Sequence, residues 1–119
     1  MQTQPVPNVT RDDVLRVIRR DFAETSEVDV LHILDQYGTQ GSVAGQARVH
    51  LAILKLSGSG LDALRNHIET ACFDCRDVIA PAEYPEYSKH GFKKHFADDD
   101  KAAAIESDWK QYEEWLNKE

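Results

Sequence analysis

The chain has 119 residues, of which 41% are apolar and 29% charged, and a formal charge of −7. That length supports a self-sufficient core, and the acidic balance argues against broad, sequence-independent binding to nucleic-acid phosphates. Two cysteines are too few for a disulfide-stapled secreted scaffold. No apolar run approaches the roughly 20 residues of a membrane span. The start, MQTQPVPNVTRDD, lacks the basic and apolar segments of a leader. The expectation is a cytoplasmic protein with no membrane partner.

Residues 1–9 carry two prolines and no charge and read as a flexible tail; residues 10–119 read as a single helical domain. Thr10 with Asp13 three residues on is a helix-start pattern. Val14, Leu15, Val17, Ile18 and Phe22 follow at helical spacing, with Asp12 and Arg16 placed to pair on the wet side. Ser26 is the next N-cap candidate, followed by a stripe of Val30, Leu31, Leu34 and Tyr37 that Gly38 closes. After the turn GTQGS, Ser42 opens a third helix whose stripe of Val43, Ala47, Leu51 and Leu54 is widened by Val49, Ala52 and Ile53, marking it as the most buried. SGSG at 57–60 ends it.

A fourth helix is expected to run unbroken from Leu61 to Ile79, because Leu61, Leu64, Ile68, Ala71, Cys75 and Val78 step by 3, 4, 3, 4, 3. Pro81 is expected to stop it. Residues 80–97, broken by Pro81, Pro85 and Gly91, read as one irregular aromatic and basic loop. The last helix begins near the acidic run at 98–100 and shows Ala102, Ile105, Trp109, Tyr112 and Leu116 on one face. No segment alternates with period two. The fold class is therefore all-α, a compact bundle of four to five helices.

The C-x-x-C at Cys72 and Cys75, with His90 and His95 beyond it, spells C-x2-C-x14-H-x4-H, close to a Cys2His2 zinc spacing. In a continuous helix both cysteines fall inside the apolar stripe, about 60° apart, where free cysteine packs as a small hydrophobe. A zinc finger would place its cysteines in a hairpin and its histidines on the following helix, the reverse of this order. A thioredoxin-like pair needs its first thiol at a helix N-terminus, usually within a βαβ unit. A nucleophilic cysteine beside His67 lacks a nameable third orienting group. Core packing is the favoured reading, with no cofactor; zinc held by Cys72, Cys75, His90 and His95 is the alternative.

YPEYSKHGFKKHF at 84–96 interleaves aromatics with cations, a pattern that stacks bases or holds anions. Tyr84, Tyr87, His90, Lys94 and His95 are the candidate ligand-binding residues, against the plainer reading in which the aromatics plug the end of the bundle. Trp109 and Trp115 lie at different angles of the last helix and are candidate interface residues, against lateral packing on the first or fourth helix. Residues 28–57 have a helix-turn-helix outline but offer only Arg48, His50 and Lys55 to a nucleic acid. Asp74 and Asp77 read as a solvated face. No nucleophile–base set stands out, so no catalytic residue is assigned.

The stretch from Arg48 to Tyr87, through LAILKLS and RDVIAPAEYPEY, resembles small uncharacterised bacterial helical proteins. That resemblance implies a bacterial setting and carries no activity, cofactor or site residue. The expectation is a non-enzymatic module that binds a protein partner or itself, with metal or small-ligand binding as the alternative.

Overall fold

Thr10 opens the first helix as its sequence predicts: its backbone N–H donates to Asp13 Oδ2 at 3.0 Å. In this computed structural model, which describes residues 8–37, 43–90 and 98–118, α1 spans Arg11–Asp21 and buries Val14, Val17 and Ile18. Val9, expected in the tail, is 2% exposed and joins the core. Arg16 pairs with Asp13 at 3.6 Å rather than with Asp12, and its guanidinium also donates to the Leu116 carbonyl at 2.7 Å. A short 3-10 turn, Glu24–Ser26, leads into α2, Glu27–Leu34, which buries Val30, Ile33 and Leu34. The expected turn around Gly38 and the Ser42 cap lie outside the described residues.

Helix α3, Val43–Ser57, is the centre of the molecule. Ala47, Val49, Leu51, Ala52, Ile53 and Leu54 are all buried, and α1, an α4 at Leu61–Phe73 and an α5 at Arg76–Glu83 pack around it. A helix apolar on nearly every side has to be enclosed in this way. Gly58, at φ +61°, ends α3 in the left-handed conformation that glycine adopts without steric cost.

The expected continuous helix from Leu61 to Ile79 is broken. α4 ends at Phe73, Asp74 turns to φ −156° and ψ 109°, and α5 begins. The cause is local: Asp74 Oδ1 accepts the Arg76 backbone N–H at 3.0 Å, and the Arg76 guanidinium grips the same carboxylate. An aspartate that captures the N–H two residues on offers the backbone an alternative to helix continuation. Pro81 does not stop a helix but sits inside α5. It removes one N–H donor near the end of a short helix, and the burial of Val78, Ile79 and Ala82 holds the turn regardless.

The expected irregular stretch at 80–97 is helical through His90, since α6 occupies Pro85–His90. Proline suits the first helical position, where its missing N–H has no intrahelical partner. Among the described residues there are thus seven α-helices and no strand. The all-helical class holds, and the expected count of four to five is exceeded because Asp74 divides one helix and α6 adds another. No helix among the described residues is long and apolar enough to cross a membrane.

The seventh helix, α7, spans Asp98–Leu116 and packs on α5 and α6. Its buried residues are Ala104, Asp108 and Tyr112; Tyr112 belongs to the expected apolar stripe, but half-buried Ile105 and Trp109 give way to Ala104 and the inward-drawn Asp108. Its two carboxylate oxygens accept the Glu86 and Tyr87 N–H groups at 3.0 Å each, capping α6 from a different helix.

Where α3 meets α5, Arg48 and Glu83 form a two-pronged pair, Nε to Oε2 and Nη2 to Oε1, each at 2.8 Å. The Glu83 side chain is 5% exposed and that of Arg48 27%. Arg48→Leu strands a buried carboxylate and is expected to cost about 2–3 kcal/mol in urea unfolding, less than for a fully buried pair; Arg48→Leu with Glu83→Leu is expected to recover most of that loss. Asp108→Ala, which removes the carboxylate that accepts from the Glu86 and Tyr87 N–H groups, is expected to cost about 1–3 kcal/mol in the same measurement.

Candidate functional site at the α4–α5 elbow

Two polar groupings arise from this packing. The first joins α3, α5, α6 and α7 and is spent on structure. Arg48 holds Glu83, Asp108 caps α6, and Gln111 Nε2 donates to the Ala82 carbonyl at 3.2 Å and the Asp108 carbonyl at 2.9 Å. Half-buried Lys55 faces this group: burial holds its pKa below the usual lysine value, while the Asp108 charge pulls it upward. The buried Tyr112 hydroxyl has no hydrogen-bond partner among the described residues, and burial, then the Glu83 charge, drives its pKa far up.

Tyr84 and Tyr87 flank this knot. Their rings meet edge to face with centroids 6.3 Å apart, Tyr84 packs on the core, and the Tyr87 N–H is committed to Asp108. They belong to a helix junction rather than to an open loop. His90 closes α6, and Lys94 and His95 lie outside the described residues. Of the expected ligand-binding set, Tyr84 and Tyr87 are the two whose side chains are described, and the structure brings them together.

The expected interface residues are both half-buried. The Trp109 ring stacks on Tyr112 at 6.5 Å and 16°. Trp115 lies under the Arg20 guanidinium, 5.3 Å from the ring centroid. The same Arg20 donates through Nη1 to the Trp115 carbonyl at 2.7 Å and the Lys118 carbonyl at 2.8 Å. Trp115 therefore packs laterally against α1.

The second grouping surrounds the cysteines. Because α4 ends at Phe73, Cys72 and Cys75 do not share the inner stripe of one helix: Cys72 is exposed, Cys75 is half-buried against the core, and both are free. The expectation that both pack inward is corrected by the Asp74 turn. Phe73 between them is 93% exposed. The Cys72 thiol donates to the Gln36 carbonyl at 3.7 Å. Burial first, then the Cys75 thiol as hydrogen-bond partner, then the charges of Cys75 and Cys72, push Tyr37 up to about 12. Arg76 holds the Asp74 carboxyl below its usual range, chiefly through its side chain and then through its N–H. Among the described residues, no group of three or more His, Cys, Asp or Glu side chains is arranged to hold a metal.

Behind Tyr37 sits His50, buried, with its ring edge to face at 6.2 Å. Arg11 Nη1 lies 3.2 Å from His50 Nδ1. A guanidinium only donates, so Nδ1 is the acceptor, and Nε2 carries the proton given to the Tyr37 carbonyl at 3.3 Å. Arg11 Nη2 continues the chain to Asp35 at 3.0 Å. This relay ties down the Tyr37 carbonyl, while Cys72 meets the adjoining Gln36 carbonyl and Cys75 the Tyr37 side chain. Sequence reading noticed Tyr37 and His50 separately, as a core aromatic and a base contact, and missed Phe73. A signal was present: Asp74 with Asp77 three residues on is itself a helix-start pattern.

No protein-family model, no curated protein and no solved structure matches the chain. Function is therefore argued from the geometry.

Burial lowers the His50 pKa below 6.5, with the Tyr37 carbonyl and Asp35 opposing and Arg11 reinforcing. A histidine depressed in the folded state binds its proton more readily in the unfolded chain. Stability is thus fully present above pH 6.5 and falls as pH drops below it. Urea titrations are expected to show stability falling as pH drops from about 7 toward 5, and His50→Gln is expected to flatten the part of that slope that belongs to this ring, which for one proton is at most about 1.4 kcal/mol per pH unit.

Proposed function

We propose that the chain is a non-enzymatic helical module that binds another protein through the elbow around Phe73. One observation carries this reading: a phenylalanine held 93% exposed at a fixed turn between two packed helices. The buried polar side chains Asp108, Glu83 and His50 are engaged in capping, pairing or bracing, which supports a binding role over a catalytic one. Aromatic side chains are favoured anchors at interfaces, where a few residues supply most of the affinity.

The surroundings suggest the partner's chemistry. Glu69 and Asp77 are exposed near Phe73, Asp74 is already neutralised by Arg76, and the chain carries −7. An apolar pocket with a rim of lysine or arginine is complementary to this surface, whereas a second copy would bring like charge to like charge.

Phe73→Ser is expected to leave the unfolding free energy within about 0.5 kcal/mol, as befits a surface site. The immobilised wild-type chain is expected to enrich, from a lysate of the organism that makes it, a partner that the Phe73→Ser chain does not. Calorimetric titration of that purified partner is expected to show at least about 30-fold weaker binding by the variant, about 2 kcal/mol. Equal binding by both chains, or no Phe73-dependent partner, rejects the reading.

A further inference from the structure

We propose that Cys72 and Cys75 form a reversible dithiol–disulfide site across the α4–α5 elbow, oxidised by small-molecule disulfides. An unbroken helix would have made these two residues part of a dry stripe. The break at Asp74 instead leaves Cys72 exposed and Cys75 half-buried, on either side of one extended residue.

Three features make closure feasible. Helical Phe73 followed by extended Asp74 follows the dihedral order of a type VIII β-turn, whose end Cα atoms lie within about 7 Å. Disulfides span Cα separations of about 4.4–6.8 Å. Next, both sulfurs approach the same short segment: Cys72 reaches the Gln36 carbonyl and Cys75 the Tyr37 side chain. Finally, their exposure is unequal. Cys72 is open to a bimolecular attack, and Cys75 is shielded from a bulky reagent yet next to its neighbour, which suits a resolving thiol. The site does not depend on the binding role of Phe73.

The exchange is balanced. Deprotonated Cys72 attacks one sulfur of the small disulfide; that S–S bond breaks, and one thiol leaves after taking a proton. Deprotonated Cys75 then attacks the Cys72 sulfur, forming the Cys72–Cys75 bond and releasing the second thiol with its proton. Two electrons pass from the two cysteines to the reagent, and the two protons lost by the cysteines appear on the released thiols.

Cystamine, a cationic disulfide matched to the acidic chain, serves as the probe on the full native chain. Products are acid-quenched and read by intact mass and maleimide counting. The wild type is expected to lose two hydrogens, to take up no maleimide, to run as a monomer on a non-reducing gel and to recover both thiols with dithiothreitol. Cys75→Ser is expected to stop at a mixed disulfide on Cys72. Cys72→Ser is expected to react at least about tenfold more slowly, because its remaining thiol is half-covered. Three results would overturn the proposal: wild-type thiols that stay unreactive until the chain is denatured, a persistent mixed disulfide on the wild type, or an intermolecular dimer as the main product. The wild-type result decides without the variants, so a variant that misfolds by circular dichroism leaves the test intact.

Discussion

A carboxylate that accepts the Arg76 N–H at 3.0 Å turns the chain at Asp74, and the placement of α5, α6 and α7 follows from that turn. Had α4 continued, Val78 and Ile79 would have lain along its own axis, beyond the reach of much of α3. Re-aimed, α5 lies across α3, buries Val78, Ile79 and Ala82, and brings Glu83 to Arg48. The chain then reaches Pro85 with its next helix directed at α7. A single hydrogen bond of this kind is worth only about 1 kcal/mol net, so the turn persists because the apolar burial on both sides depends on it.

Polar chemistry inside this protein mostly joins helices to one another. Asp108 reaches from α7 to the start of α6, Gln111 from α7 to the end of α5, and Arg48 from α3 to Glu83. Buried groups of this kind are costly unless satisfied, and once satisfied they specify one arrangement over its neighbours. α7 illustrates the point. Its face toward the core includes a carboxylate, a tyrosine and an alanine, too little apolar surface to fix its register by hydrophobic contact alone. Directional bonds supply the register.

The sequence was legible where local chemistry and packing agree. The Thr10 start, the end of α3 before Gly58 and its deep burial, and the all-helical class follow from capping residues and period alone. Legibility failed at Asp74, because the 3-4 spacing through Cys75 and Val78 is satisfied equally by one helix and by two helices that meet at an angle near the same core. In the sequence, the aspartate that decides between them reads as surface charge. It failed again at Asp108: a charged residue in an amphipathic helix is ordinarily assigned to the wet face, and only the arrival of the α6 N-terminus makes burial tolerable there. Pro81 and Pro85 read as breakers in the sequence, yet one lies in a helix held by tertiary burial and the other begins a helix. Tyr37 and His50 stood in plain view, but their meeting with the thiols requires the fold.

Arg16 and Arg20 give the molecule a clasp. From the first described helix they grip carbonyls at residues 115 and 116 of the last helix and at residue 118 just beyond it, closing a span of about a hundred residues whose loop entropy is lost only when these elements meet. Mechanical tension applied at residues 8 and 118 would therefore load these guanidinium–carbonyl bonds together with the buried Val9 and the core-packed Trp115 and Leu116, so both ends of the chain pull on the same α3-centred body.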